Sequence, residues 1–298
     1  MAVANTVPVE KVAQKAFDSL LRTLGHSSIR DAERIRDMVE EYRSSGGVVV
    51  KVGGSALSEQ CGPSIFDSIR VLDGLRIPLV IVHGGGKEID EEMGRRGIDI
   101  IKDPETGQRV TNEDTVEVLK AVMPRIGLGI TNSLIQENID AQQMLGHGGV
   151  LKVMQVSETL QYVGRITRVK AGGILALARE GMVVVVTPLG YTSDHVYNIN
   201  ADLAASSIAC ALSAKRIVFV TNVNGINDGR RWREEIRVWE LKGMVRSGSI
   251  TGGMIPKIEA ATEAVAGGVS ASIVNGKTEG SVLKHLFGSN GSGTEITR

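Results

Sequence analysis

Short apolar runs rich in β-branched residues recur along this 298-residue chain, at 48–52, 79–83, 183–187, 217–221 and 272–274. They constrain the fold more than any other feature. Between them lie stretches whose apolar residues repeat with helical spacing, at about 64–75, 88–96, 112–122, 171–180, 201–212 and 256–267. A strand that is apolar on both faces has no side to give to water, so helices must cover both. Strands joined through helices run parallel. The expected fold class is therefore α/β: a three-layer α/β/α sandwich with a largely parallel central sheet, built as one two-lobed unit or two compact domains.

The ends of the chain read differently. Residues 9–24 place Val12, Phe17, Leu20, Leu21 and Leu24 on one helical stripe, with Gly25 as a stop. Ser28 is placed to cap a second helix bearing Ile29, Ile35, Met38 and Val39. The first stripe is more apolar than a lone helix can bury. Segments 150–168 and 225–233 read as hairpin excursions, and the Gly/Ser-rich 288–293 as a loose tail unless a partner orders it.

Charge excludes several function classes. Lys plus Arg equals Asp plus Glu at 34 each, so no global field recruits nucleic acid or an acidic membrane. Aromatics at 3% are too few for base-stacking platforms. The two cysteines, Cys61 and Cys210, lack metal-ligand spacing, and no metal-binding motif is present. The start, MAVANTVPVEK, has no apolar signal core, and no run reaches spanning length; a cytoplasmic protein is expected.

Glycines cluster where ligands bind in open α/β sheets, at the expected C-terminal ends of strands. The clusters are Lys51-Val-Gly-Gly-Ser55, His83-Gly-Gly-Gly-Lys87 and Thr251-Gly-Gly-Met-Ile-Pro-Lys257. Consecutive glycines bring backbone N–H groups close to an oxyanion, and a following helix adds its N-terminal dipole. One such turn is ordinary chain geometry; three, each with a lysine, point to phosphate or carboxylate binding. Gly276-Lys277-Thr278 ends like a P-loop, but Ala271 replaces the first glycine, so it reads as a turn. Asn198, Asn200 and Asp202 alternate at a helix start, where a cap needs only one of them. Arg109, ahead of a helix, has the planar fork that grips a carboxylate, or else forms a surface ion pair.

Five segments in order, Lys51–Ser55, His83–Gly86, Asn198–Asp202, Thr221-Asn-Val-Asn-Gly225 and Gly252–Lys257, together resemble the amino-acid kinase superfamily. Arg109-Val-Thr111 and the Asn-x-Asn-Ala-Asp form are similar to its branch that phosphorylates N-acetylglutamate in arginine biosynthesis. The resemblance implies a helical extension over 1–43, an acetylglutamate-binding lobe over 44–213 and a nucleotide-binding lobe over 214–298. ATP and Mg2+ are the implied cofactors, and a homo-oligomer, dimer or hexamer, the implied assembly. Lys51 and Lys257 would neutralise the transferring phosphoryl group, with Asp202 orienting them. Gly85, Gly86, Arg109 and Asn198 would bind the acid. Gly53, Gly54, Ser55, Gly84, Thr221, Asn222, Gly225, Gly253 and Met254 would hold phosphates and nucleotide. No protein metal ligand is implied.

Met144-Leu-Gly-His-Gly-Gly-Val150 lacks the Asp common in the family at that place, and Val52 follows the first lysine where Tyr or Leu is common. The alternatives are a sister kinase acting on aminoadipate, aspartate, glutamate or carbamate, or a non-catalytic metabolite-binding regulatory domain. Arginine-sensitive relatives use an N-terminal helix to join dimers, together with a His, a Glu five residues on and then Gly-x-Gly-Thr. Here Gly291-Ser-Gly-Thr294 matches the end, but Gly280 and His285 stand at the His and Glu places. Weak or absent feedback by arginine is expected.

Overall fold

The computed structural model describes residues 8–26, 28–53, 62–104, 107–288 and 293–298. Gly54, Ser55, Cys61, Gly291 and Ser292 lie outside the described residues. Two helices open the chain, α1 (Val9–Leu24) and α2 (Ile29–Ser44), followed by β1 (Val48–Val52), α3 (Gly62–Gly74), β2 (Leu79–His83), α4 (Gly86–Arg95) and α5 (Glu113–Gln136). The middle carries β3 (Ala141–Leu145), β4 (Leu151–Gln155), β5 (Gly164–Val169), α6 (Ala171–Arg179), β6 (Val183–Thr187), β7 (Leu189–Tyr191), β8 (Val196–Asn198) and α7 (Ala201–Leu212). The last third holds β9 (Arg216–Thr221), β10 (Ile226–Asn227), β11 (Trp232–Arg233), β12 (Glu235–Arg237), α8 (Val238–Arg246), α9 (Met254–Ala266), β13 (Ser270–Asn275), α10 (Ser281–Phe287) and β14 (Gly293–Thr297).

Among the described residues, eight strands form the central sheet in the order β12-β14-β13-β9-β1-β2-β6-β3. All neighbours are parallel except the β13–β14 pair. From β1 the chain steps to β2 on one side, and it later returns to β9 on the other. This makes β1 the switch point of the sheet, with a crevice at its C-terminal end.

Both faces of the sheet are buried, as uninterrupted valine and isoleucine runs require. Side chains alternate along a strand, so Val49, Val80, Val184 and Phe219 pack against α6, α7 and α9 on one face. Val48, Val50, Ile81 and Val218 pack against α1, α2, α3 and α10 on the other. The fold is the expected three-layer α/β/α sandwich. The hairpins β4–β5 and β10–β11 lie where the two excursions were expected, and β4–β5 joins the unforeseen β7–β8 pair in a separate four-stranded sheet.

The N-terminal helices form where expected. Ser28 Oγ accepts from the Asp31 N–H at 3.1 Å, and Gly25, at φ +69°, closes α1 in the left-handed conformation that glycine adopts freely. Phe17 and Leu20 are buried in the chain's own core beside Leu72 and Leu286. Tyr42 donates to the Leu286 carbonyl at 3.0 Å, and Arg43 to the Leu75 carbonyl at 2.7 Å. Phe17, Leu20 and Leu24 of the α1 stripe are thus covered within the chain, whereas Val12, 43% exposed, is not.

Other expectations need correction. Helix α5 does not stop near Val122; it continues through Pro124 to Gln136, because Ile130, Thr131 and Leu134 still face the core. The glycine loop at 251–257 follows α8, not a strand. Of the expected loose tail, Gly293 instead opens β14 (Gly293–Thr297), inserted between β12 and β13, and 289–292 lie outside the described residues. Strand β3 escaped the sequence reading because an edge strand spelled Ala-Gln-Gln-Met-Leu is half-solvated and lacks β-branched residues.

Candidate active site

Lys51 lies in β1, the strand at the switch point, and its side chain is 7% exposed. Its ammonium meets Asp202 Oδ1 at 2.9 Å. Lys257, in the first turns of α9, meets Oδ2 of the same carboxylate at 3.0 Å and Oδ1 at 3.3 Å. Asp202 is buried in the first turn of α7, where the helix dipole favours an anion. Three residues far apart in the chain therefore share one ion cluster.

The electrostatics are unbalanced. Burial pushes the Asp202 carboxyl up, but the Lys51 and Lys257 charges and hydrogen bonds outweigh it and hold the group below its ordinary value. Burial draws the Lys51 ammonium down; Asp202 opposes this and Lys257 reinforces it. Two cations against one anion leave the cluster a formal positive charge in a low-dielectric site. That excess is complementary to an incoming phosphoryl group.

The three polar residues at the start of α7 divide their work. Asn200 is the cap: its Oδ1 accepts from the N–H groups of Asp202 at 2.9 Å and Leu203 at 3.3 Å. Asn198 instead donates from Nδ2 to Thr111 Oγ1 at 3.2 Å, two residues beyond Arg109. Arg109 is neither solvent-exposed nor free. Its side chain is 10% exposed, paired with Asp90 of α4 and 3.2 Å from Met93 Sδ. The surface ion pair weighed for it is a sunken one, and an acid binding there must share or displace Asp90.

The glycines differ in why they are glycines. At Gly53 an added Cβ meets nothing within 4 Å, so packing does not demand glycine there. Gly84 donates to the Val52 carbonyl at 2.8 Å, stitching the turn after β2 to the end of β1. Gly85 precedes α4, where a Cβ would lie 2.6 Å from Met123 Sδ; Gly86 begins the helix with open space around it. No side chain caps the N-terminus of α4. Gly253 precedes α9 in the same way, and Met254, its first residue, is half-buried. Thr221 and Asn222 sit at the C-terminal end of β9, beside β1. Gly225 has a packing reason instead: at φ +111°, its Cβ would come within 2.4 Å of Thr294 Oγ1.

Sequence reasoning missed a second buried network. His83, the last residue of β2, is 1% exposed. Its Nδ1 lies 3.0 Å from the Gly84 carbonyl oxygen and its Nε2 3.1 Å from Thr187 Oγ1. Burial pushes its pKa down to about 4; the Gly84 carbonyl opposes this and the Lys51 charge adds to it. The available signal was a single polar residue closing an otherwise apolar buried strand.

The fold and the two-lysine, one-carboxylate cluster with glycine turns at its switch point are suited to binding a phosphoryl group, and comparison with known proteins gives the family. The amino acid kinase family model matches residues 47–275, and the chain belongs to that family. It is 37% identical over 236 residues to the acetylglutamate kinase of Bacillus cereus strain G9842, covering 77% of this chain and 89% of that one. The acetylglutamate kinase of Bacillus mycoides strain KBAB4 is 36% identical over the same extent. Among solved structures, smu.665 of Streptococcus mutans UA159 superposes with a TM-score of 0.74 at 29% identity, over 84% of this chain and 98% of that one. The N-acetylglutamate synthase of Neisseria gonorrhoeae shares the fold at 22% identity, with a TM-score of 0.78 over 91% of this chain and 64% of that one.

Proposed function

We propose that this protein transfers the γ-phosphoryl group of ATP to the side-chain carboxylate of N-acetyl-L-glutamate, in arginine biosynthesis. The observation that carries the reading is the buried Lys51–Asp202–Lys257 cluster with its unbalanced charge. Kinship to the acetylglutamate kinases supports the choice of acid. A carboxylate oxygen forms the new O–P bond as the bond between the γ-phosphorus and the β,γ-bridging oxygen breaks, and ADP leaves with that electron pair. The attacking group has an ordinary pKa of about 4.3 and is already ionised at neutral pH, so the step needs no general base. What it needs is relief from repulsion between two anions.

Lys51 and Lys257 supply that relief, and Asp202 holds both ammonium groups in place. The N–H groups of Gly53, Gly85 and Gly86 would serve the phosphoryl group and the acid, while the Gly84 N–H is held by the Val52 carbonyl and supports the turn; Gly54 and Ser55 lie outside the described residues. Arg109 and Asn198 hold the acid in the lobe of 44–213. Thr221, Asn222, Gly253 and Met254 seat the nucleotide in the lobe of 214–298. Among the described residues no cluster of three acidic, His or Cys side chains could hold a metal ion, and both Asp202 oxygens face lysines. Mg2+ is the ion expected with ATP, and it would supply positive charge that offsets the negative charge of the transferring group.

We further infer a cytoplasmic homo-oligomer. Among the described residues no helix is long and apolar enough to cross a membrane. Strand β3 ends the sheet, and α5, packed beside it, exposes Leu128 and Ile135. The deciding experiment measures ADP release with N-acetylglutamate, glutamate, aspartate, aminoadipate and carbamate in turn. N-acetylglutamate is expected to give the highest kcat/KM; absence of turnover with it overturns the assignment.

A further inference from the structure

The buried network around His83 has a direction, and each of its bonds can be oriented from chemistry alone. The Gly84 carbonyl can only accept, so the ring nitrogen facing it, Nδ1 at 3.0 Å, carries the proton. In a neutral imidazole Nε2 is then a bare acceptor, and the Thr187 hydroxyl, 3.1 Å away, donates to it. Having spent its proton there, Thr187 Oγ1 accepts from Gln143 Nε2 at 3.0 Å. The other proton of that amide goes to the Pro124 carbonyl, inside α5, at 2.8 Å. The chain of bonds runs from α5 through β3, β6 and β2 to the glycine turn. Helix α5 can approach this closely because residue 127 is glycine: a Cβ there would sit 2.5 Å from Gln143 Nε2, 2.8 Å from Thr187 Oγ1 and 2.9 Å from His83 Nε2.

The end of the chain of bonds is what matters for chemistry. A trans peptide points its C=O and its N–H to opposite sides of one rigid plane. Holding the Gly84 carbonyl against the buried ring therefore turns the Gly85 N–H the other way. The same turn is pinned on its near side by the Gly84 N–H, which donates to Val52, next to Lys51. A Gly-Gly peptide has the lowest intrinsic barrier to flipping of any in the chain, since neither flanking residue carries a Cβ. An external clamp is what gives it one orientation.

We propose that His83 is a positioning residue for phosphoryl transfer: as the neutral tautomer protonated at Nδ1, it locks the Gly84–Gly85 peptide so that its N–H serves the reacting anions. The proposal rests on the phosphoryl-transfer reading above. It deepens that reading by giving the glycine turn a fixed orientation and by giving Thr187 and Gln143 the task of selecting the tautomer.

Two substitutions separate positioning from mere support. In His83→Asn the side-chain Nδ2 can stand where the ring Nδ1 stood and keep the bond to Gly84. In His83→Gln the amide reaches the Nε2 place and Thr187 instead. Each keeps one of the ring's two partners, so a purely structural role costs both variants alike. The expected result is a split: His83→Asn keeps kcat within about fivefold, whereas His83→Gln loses roughly tenfold to a hundredfold in kcat with both KM values little changed, as for loss of an oriented donor. Equal kcat in the two variants, or a loss confined to KM, overturns the proposal.

A second measurement does not depend on turnover or on any variant folding. Long-range 1H–15N spectra of 15N-histidine-labelled protein, with five histidines to assign, are expected to show His83 protonated at Nδ1 and bare at Nε2. The opposite tautomer, or an imidazolium at pH 7, overturns it. Failure of the wild-type protein to phosphorylate N-acetylglutamate strikes the function assignment, and the tautomer spectrum still decides the clamp.

Discussion

Two buried polar networks flank the turn after β2, and they are opposites. The Lys51–Asp202–Lys257 cluster is ionic and carries one charge too many. The His83–Thr187–Gln143 network is neutral and satisfied at every link traced above. A protein interior tolerates the second easily, because each donor meets an acceptor. It tolerates the first only where an anion comes to complete it. The difference separates groups that act on a ligand from groups that hold the actors still.

The largest effect expected on this comparison comes from Asp202→Ala. It leaves two ammonium groups facing each other in a buried site, and loss of one side of a buried ion pair costs about 3–5 kcal/mol. Urea unfolding should show that loss, with turnover abolished. A stability within about 1 kcal/mol of wild type would mean that the cluster is hydrated and not the tight unit described here. Next come Lys51→Ala and Lys257→Ala. Each brings the cluster to neutrality, so stability should suffer less than in Asp202→Ala while kcat falls by roughly a hundredfold or more. Near-normal turnover in both would remove the kinase reading altogether.

Acidification should strike the neutral network first. His83 has a folded pKa of about 4, below its ordinary 6.5. Between those values the unfolded chain binds more protons than the folded one. The stability that depends on a neutral His83 is complete above pH 6.5 and is lost as pH falls toward 4, by roughly 2 kcal/mol at pH 5. Asp202, held below the ordinary carboxylate range, keeps its contribution throughout that window. His285, pushed by burial to about 4, adds to the loss, and Asp73, pushed by burial up to about 6, opposes it. Comparing urea midpoints of wild type and His83→Asn at pH 7 and pH 5 isolates the His83 share. Equal slopes in the two proteins would show that the ring does not titrate as described.

Smaller effects lie at the rim of the site. Arg109→Lys keeps the charge and loses the fork that reaches a carboxylate with two N–H groups. It should raise KM for the acid about tenfold, worth about 1.4 kcal/mol, and leave KM for ATP nearly unchanged. Equal shifts in both would confine Arg109 to its pairing with Asp90. The smallest effect is expected from free arginine. His285 stands where sensitive relatives have a carboxylate, and it is half-buried near Arg216, whose own guanidinium already holds Glu295 at 2.8 Å. Millimolar arginine should leave the rate at near-KM N-acetylglutamate almost unchanged; sigmoidal inhibition would show an effector site built from other residues.

Much of this molecule was determined locally and could be read from the sequence. The runs at 48–52, 79–83 and 183–187 are strands over those same residues because their valines and isoleucines leave no face for water. Residues 201–212 are a helix because Asn200 caps them. Only the tertiary structure decided the rest. It set Asp202 between two lysines from distant elements, sank Arg109 onto Asp90, and aimed His83 at a carbonyl through Thr187 and Gln143. It also drew Ala141–Leu145, a half-solvated segment without β-branched residues, and the short Gly293–Thr297 into the sheet, and it packed Phe17, Leu20 and Leu24 of α1 onto the chain's own core. The reason is physical. Backbone preference and burial pattern act within a few residues, whereas the partner of a buried charge or ring nitrogen is chosen by whichever element the packed core brings alongside.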